Sequence, residues 1–108
     1  MAKSDKLTKA VIIDNLYAKL KERFEESTIS REEVHMIVDE FFEEIKDGLN
    51  NDQVIELRGF GTFEVHTRKK REKAHNPKTG EPVTVETHGV AFFRPGRELK
   101  ERVWNLRG

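Results

Sequence analysis

The sequence predicts an α+β fold whose single chain is incomplete without a partner chain. Three observations carry this. Two stretches before residue 50 repeat apolar residues every three to four positions, the period of amphipathic helices. From Gln53 the period changes to two, and short β-type runs alternate with glycine- and proline-marked turns. The 108 residues are only 35% hydrophobic against 37% charged, which leaves little apolar material for the core of a monomer of this size.

Taken in order, residues 1 to 7 read as a loose tail, and Thr8 as the N-cap of a first helix over about 8 to 25. Its apolar face is Ile13, Leu16, Tyr17, Leu20 and Phe24. Ser30-Arg31-Glu32-Glu33 has the form of a capping box: the serine hydroxyl accepts from the Glu33 amide while the Glu33 carboxylate accepts from the Ser30 amide. The helix behind it carries Val34, Ile37, Val38, Phe41, Phe42, Ile45 and Leu49 on one side and stops at Asn50-Asn51-Asp52. Val54 to Leu57 predicts a strand, Arg58-Gly59-Phe60-Gly61 a turn, and Thr62 to Thr67 a second strand. Asn76-Pro77-Lys78-Thr79-Gly80 is the tip of a further hairpin that returns through Val83 to Thr87. Pro82 cannot donate to a ladder, so that limb belongs to an edge or to a free two-stranded arm. Val90 to Phe93 returns to the core, and Leu99, Val103 and Trp104 are expected to face one way on a short last helix.

Net charge is zero, but the charge is segregated. Residues 1 to 52 carry 8 Lys or Arg against 13 Asp or Glu, and residues 53 to 108 carry 12 against 7, so the halves stand at −5 and +5. Arg68, Lys69, Lys70, Arg71 and Lys73 crowd into one octamer on the limb of the second hairpin. A two-stranded ribbon is narrow enough to enter a DNA groove, and its cations would line the phosphate walls. With about five to eight cations engaged per chain, log K would fall by roughly 0.9 per phosphate neutralised for each unit of log salt. Alone, such an octamer reads as well as a solvated loop or a localisation run. The β-type segments on both sides of it favour an arm.

Pro77 at the tip is apolar, rigid and free of an amide hydrogen, which suits a wedge between base pairs. Turn chemistry by itself accounts equally for the pentapeptide. Beyond the arm, Arg94, Arg97 and Lys100 lie where a strand gives way to a helix and could hold phosphates on the duplex flank. The alternative there is pairing of Arg97 and Lys100 with Glu98 and Glu101 in water.

Other chemistries find no support. There is no cysteine, and His35, His66, His75 and His88 lack zinc-ligand spacing, so no metal is expected. Neither a phosphate-binding glycine loop nor a catalytic constellation is present, so the chain reads as a non-enzyme with no cofactor and no small-molecule substrate. No apolar run suits a membrane span or a secretory signal, and the expectation is a soluble protein that stays in the cell.

Three segments, Gly59-Phe60-Gly61-Thr62-Phe63-Glu64-Val65, Asn76-Pro77-Lys78-Thr79-Gly80 and Phe93-Arg94-Pro95-Gly96-Arg97-Glu98-Leu99-Lys100, resemble in order those of the bacterial HU and integration host factor family. The resemblance implies an intertwined dimer with a helical body, a short antiparallel sheet, one extended β-hairpin arm per chain and a short C-terminal helix. It divides a single domain, 8 to 108, into a helical dimerisation region over 8–50, a sheet and DNA-binding arm over 53–94, and a last helix over 96–106. It implies an architectural, histone-like protein that binds double-stranded DNA in the minor groove and bends it by proline intercalation, with little sequence specificity, in the cytoplasmic nucleoid. Carried across, the DNA-binding set is Arg68, Lys69, Lys70, Arg71, Lys73, His75, Asn76, Pro77, Lys78, Thr79, Arg94, Arg97 and Lys100, with Pro77 intercalating. Phe41, Phe42, Phe60, Phe63 and Phe93 are implied as the core of a homodimer, a heterodimer with a related chain being the alternative.

Three departures accompany the resemblance. His75 stands where the family usually has arginine, the arm is one residue longer, which predicts a bulge, and the body is acidic. The competing readings are a sequence-specific bending protein like integration host factor, and a protein-interaction dimer whose arm grips an acidic partner.

Overall fold

The computed structural model describes residues 6–69, 71–75 and 78–107, with backbone alone for 71–75 and 82–85. The described chain falls into two compact units, residues 1–44 and 45–108.

In the first unit, α1 runs Lys9–Arg23 and α2 begins at Arg31. Thr8 caps α1 as expected, its hydroxyl accepting from the Val11 amide at 3.3 Å. The helix stops two residues short of the expected end because Phe24 leaves helical geometry (φ −128°, ψ 73°). The Lys21 ammonium then folds over onto the Ser27 carbonyl at 3.1 Å. The capping box forms in both directions, Glu33 N–H to Ser30 Oγ at 3.0 Å and Ser30 N–H to Glu33 Oε1 at 2.9 Å. The Ser30 amide, with the Ser30 hydroxyl adding to it, holds the Glu33 carboxyl below the usual carboxylate range. Lys9 to Asp39 (2.7 Å) and Arg31 to Asp14 (2.6 Å) tie α1 and α2 together running in opposite directions. Being exposed, each pair contributes at most about 1 kcal/mol.

Ser30→Ala should cost about 1 kcal/mol of stability, seen as a lower denaturant midpoint at unchanged slope. The box is also a source of acid sensitivity. A carboxyl depressed in the folded state stabilises above its unfolded pKa, near 4.3, and loses that contribution as pH falls through the lower folded value. Glu33→Gln, which removes the ionisable group, should therefore flatten the loss of stability below about pH 4.3.

Burial in this unit is sparse. Among its described apolar side chains only Ile13 and Val34 are buried, while Met36, Ile37, Phe41 and Phe42 remain exposed on α2. The apolar faces that the periodicity marks are there, but one chain does not cover them.

The second unit starts with the end of α2, at Asn50. Gln53 N–H bonds Gly48 C=O at 2.9 Å and Asp52 N–H bonds Leu49 C=O at 3.0 Å, the paired closure of a Schellman cap. Asp52 takes the left-handed position (φ 54°), a site glycine usually fills. Strand β1, Ile55–Leu57, turns through Gly59 (φ 82°) into β2, Gly61–Arg68, with Phe60 N–H on Leu57 C=O at 3.0 Å. Strands β3, Arg71–His75, and β4, Pro82–Val85, form a two-stranded ribbon, and β5, His88–Pro95, completes a three-stranded antiparallel sheet in the order β1-β2-β5. The short helix α3 spans Arg97–Val103.

Register places the ribbon. β2 and β5 pair from Gly61 opposite Pro95 to Arg68 opposite His88, so the chain leaves for the ribbon, and returns from it, at one end of that ladder. Between Arg71 opposite Val85 and Ala74 opposite Val83 the register slips. Three steps on β3 face two on β4, which is the bulge expected of the longer arm.

Candidate nucleic-acid interface

Alternation along β2 and β5 sorts the sheet into two faces. On one, Phe63 lies opposite Phe93 and Phe60 joins them, with ring centroids 4.7 Å (Phe63 to Phe93), 5.2 Å (Phe60 to Phe93) and 6.4 Å (Phe60 to Phe63) apart. Gly61 is what lets these rings close, since a Cβ there would lie 2.5 Å from the Arg94 carbonyl oxygen and 2.6 Å from the Phe93 ring. Phe60 is still 45% exposed and the Phe41–Phe42 pair is open as well, so all of the expected dimer-core rings except Phe63 and Phe93 are exposed in the single chain.

The opposite face carries Thr62, Glu64, His66 and Arg68 on β2, across from Arg94, Phe92, Val90 and His88 on β5. Arg68 and Lys69, at the root of the ribbon, are exposed and show no ion pair among the described residues. Arg94 is bound: its Nη2 donates to Glu64 Oε2 at 2.5 Å. The same oxygen accepts from His66 Nε2 at 2.9 Å, which makes that nitrogen the protonated one, because a carboxylate can only accept. The His66 ring lies flat on Phe92, centroids 4.1 Å apart and planes 18° from parallel. The bond from His66, with the Arg94 guanidinium adding to it, holds the Glu64 carboxyl below the usual carboxylate range despite its partial burial.

On α3, Arg97 meets Glu101 and Arg102 meets Glu98, each at 3.5 Å across one helical turn. The expected water-exposed pairing of Arg97 is thus present, whereas Lys100 has no carboxylate partner among the described residues. Trp104 does not join Leu99 in facing inward. At 78% exposure it follows Arg97, Lys100 and Glu101, because positions three, four and seven apart share a helix face, while Leu99 and Val103 share another.

At the ribbon's far end Lys78 and Thr79 form an exposed turn, with Glu81 N–H on Thr79 Oγ1 at 3.2 Å and Gly80 at φ 73°. Lys70, Asn76 and Pro77 lie outside the described residues, as do the side chains of Arg71, Lys73 and His75. Sequence reasoning missed Glu64, His66 and Phe92 as a group. The alternation within Thr62 to Thr67 puts Glu64 and His66 on one face, but nothing in the chain order pairs them with Phe92 and Arg94.

The sequence profile of the family described as bacterial DNA-binding protein matches residues 7–104. The chain belongs to the HU and integration host factor family of bacterial DNA-binding proteins. It is 40% identical over 101 residues to the integration host factor α subunit of Vibrio vulnificus (strain YJ016), covering 94% of this chain and 98% of that one. To the α subunit of Proteus mirabilis (strain HI4320) it is 38% identical over 99 residues, covering 92% and 93%. The fold is similar to HU from Anabaena in a cocrystal with DNA (TM-score 0.74, 24% identity, 91% of this chain and 98% of that one). It is also similar to an HU variant from Thermotoga maritima (TM-score 0.61, 26% identity, 89% and 97%). Within this family fold, Arg68 and Lys69 stand where the chain leaves the β2–β5 ladder for the ribbon, and Arg71 and Lys73 lie on β3.

Proposed function

We propose that this family member is an architectural dimer that binds double-stranded DNA in the minor groove and bends it, with Pro77 as the intercalating wedge. The observation that carries the reading is the two-stranded β3–β4 ribbon, which extends from the end of the β2–β5 ladder with Arg68 and Lys69 exposed at its root. Lys69, Lys70, Arg71, Lys73, His75, Asn76, Lys78 and Thr79 serve the arm, and Arg94, Arg97 and Lys100 the flank. Phe41, Phe42, Phe60, Phe63 and Phe93 form the shared core, and the two compact units work as one DNA-binding domain. The function involves no catalysis and no cofactor, and its setting is the cytoplasmic nucleoid.

Little sequence specificity is expected, since the minor groove distinguishes chiefly A·T from G·C. A second reading, a sequence-specific bending protein that pairs with a related chain, is favoured by the identity of the relatives as integration host factor α subunits. In that case specificity rests on DNA deformability.

The test is energy transfer across a short end-labelled duplex titrated with protein at several salt concentrations. Bending should appear with binding and both should weaken steeply with salt; binding without salt dependence would overturn the reading. Competition between random and defined duplexes separates the two versions, and the oligomeric state of the purified single chain decides between homodimer and heterodimer.

A further inference from the structure

Glu64 sits where a DNA-binding face would be expected to carry no anion. Its side chain is 16% exposed, against 60% for Arg94 and 43% for His66, so the carboxylate lies beneath the two groups it binds. A carboxylate oxygen at 2.5 Å from a guanidinium takes the position that a phosphate oxygen would take. We propose that Glu64 is an internal competitor for DNA phosphate: it holds Arg94 in the free protein and yields it when a duplex reaches the sheet face. It thereby sets how much affinity and salt dependence that face contributes. The inference rests on the DNA-binding reading above and assigns a regulating residue to the same surface.

The physical case has two parts. A pair between exposed side chains is weak because water screens it. Here one member is largely covered, so its charge is less screened and its competition with phosphate is stronger. Once Arg94 turns to the duplex, Glu64 is left facing a like charge, with His66 as its remaining partner. The stack on Phe92 and the bond to Oε2 hold His66 in place for that.

In the free protein His66 and Arg94 hold the Glu64 carboxyl below the usual carboxylate range; losing Arg94 to phosphate raises its pKa, so binding takes up protons and affinity rises as pH falls into the carboxylate range. The other charged or titratable groups of this face are Glu56 of β1, opposite Thr62, Arg68, two positions beyond His66, and His88 opposite Arg68. His88 donates its Nδ1–H to the Glu86 carbonyl at 2.6 Å. None of the three shows a bond to Glu64 among the described residues.

The test measures duplex binding by fluorescence anisotropy over salt and pH for the full chain, Glu64→Gln, Arg94→Ala and the double variant. Glu64→Gln keeps the side chain's shape and removes its charge. It should tighten Kd by roughly threefold to tenfold and steepen the salt slope by up to about 0.9 per chain. In the Arg94→Ala background the same change should matter by less than about twofold, as the coupling of a contacting pair requires. The rise in affinity as pH falls from about 6 to about 4.5 should be smaller in Glu64→Gln than in the wild type.

An unchanged Kd and salt slope in Glu64→Gln, or a gain that persists undiminished without Arg94, overturns the inference. So does an identical pH dependence in the two proteins, a comparison that holds even if the variant melts at a lower temperature. Absence of salt-dependent DNA binding in the wild type would instead overturn the proposed function itself.

Discussion

Pro77→Ala is expected to remove more than half of the protein-induced bend in a short duplex while raising Kd by no more than about tenfold, or about 1.4 kcal/mol. Pro77 lies in the chain between the last residue of β3 and the Lys78–Thr79 turn. A wedge there unstacks a base step at a cost of about a few kcal/mol, offset by contacts that only the bent duplex can make. Alanine keeps the cations that supply most of the affinity and removes the rigid apolar ring that holds the step open. Energy transfer reads the bend and anisotropy reads the binding on the same labelled duplex. Equal loss of both would assign Pro77 to the arm's shape and not to a wedge.

Phe93→Ala should cost about 3–5 kcal/mol, a large share of the roughly 5–15 kcal/mol that holds a domain of this size together. Its ring is the hub of the aromatic stack, 4.7 Å from Phe63 and 5.2 Å from Phe60, and the missing Cβ of Gly61 is the space it packs against. Because Phe60, Phe41 and Phe42 are exposed in one chain, the cost should appear as a loss of dimer, with a melting temperature that climbs with protein concentration. Chemical denaturation at two or more concentrations checks it. A loss below about 1 kcal/mol, or a midpoint indifferent to concentration, would mean that the stack is not part of a shared core.

Most of the fold was legible because its signals are local. A capping box acts over four residues, so Ser30 and Glu33 announce the start of α2 without reference to anything else. Gly59 and Gly80 mark turns because both take positive φ, which glycine adopts at no steric cost. Asp52 occupies the same backbone region without that signature, and the Schellman closure it completes could be expected only as a helix break. The end of α1 was less legible, since Phe24 continues the apolar period one position past the last helical residue.

The candidate interface was legible in its cations and not in its anion. Arg68, Lys69, Arg94, Arg97 and Lys100 are apparent from charge and from their place beside turns. Trp104 was misplaced because a single turn beyond Leu99 gives the period too little length to fix a face. Glu64 and Arg94 stand thirty residues apart, and their contact depends on β2 pairing with β5 in one register.

The amino-acid sequence by itself determined the helices, the turns, the run of basic residues after β2, and the shortage of apolar material in one chain. Each follows from spacing or composition within a few residues. Only the tertiary structure decided which face of the sheet holds the aromatic stack and which holds the charges, and that one of the latter is a carboxylate already gripping Arg94. Alternation assigns side chains to faces, but register decides which of them meet, and a one-residue slip of β5 would have turned Arg94 away from Glu64.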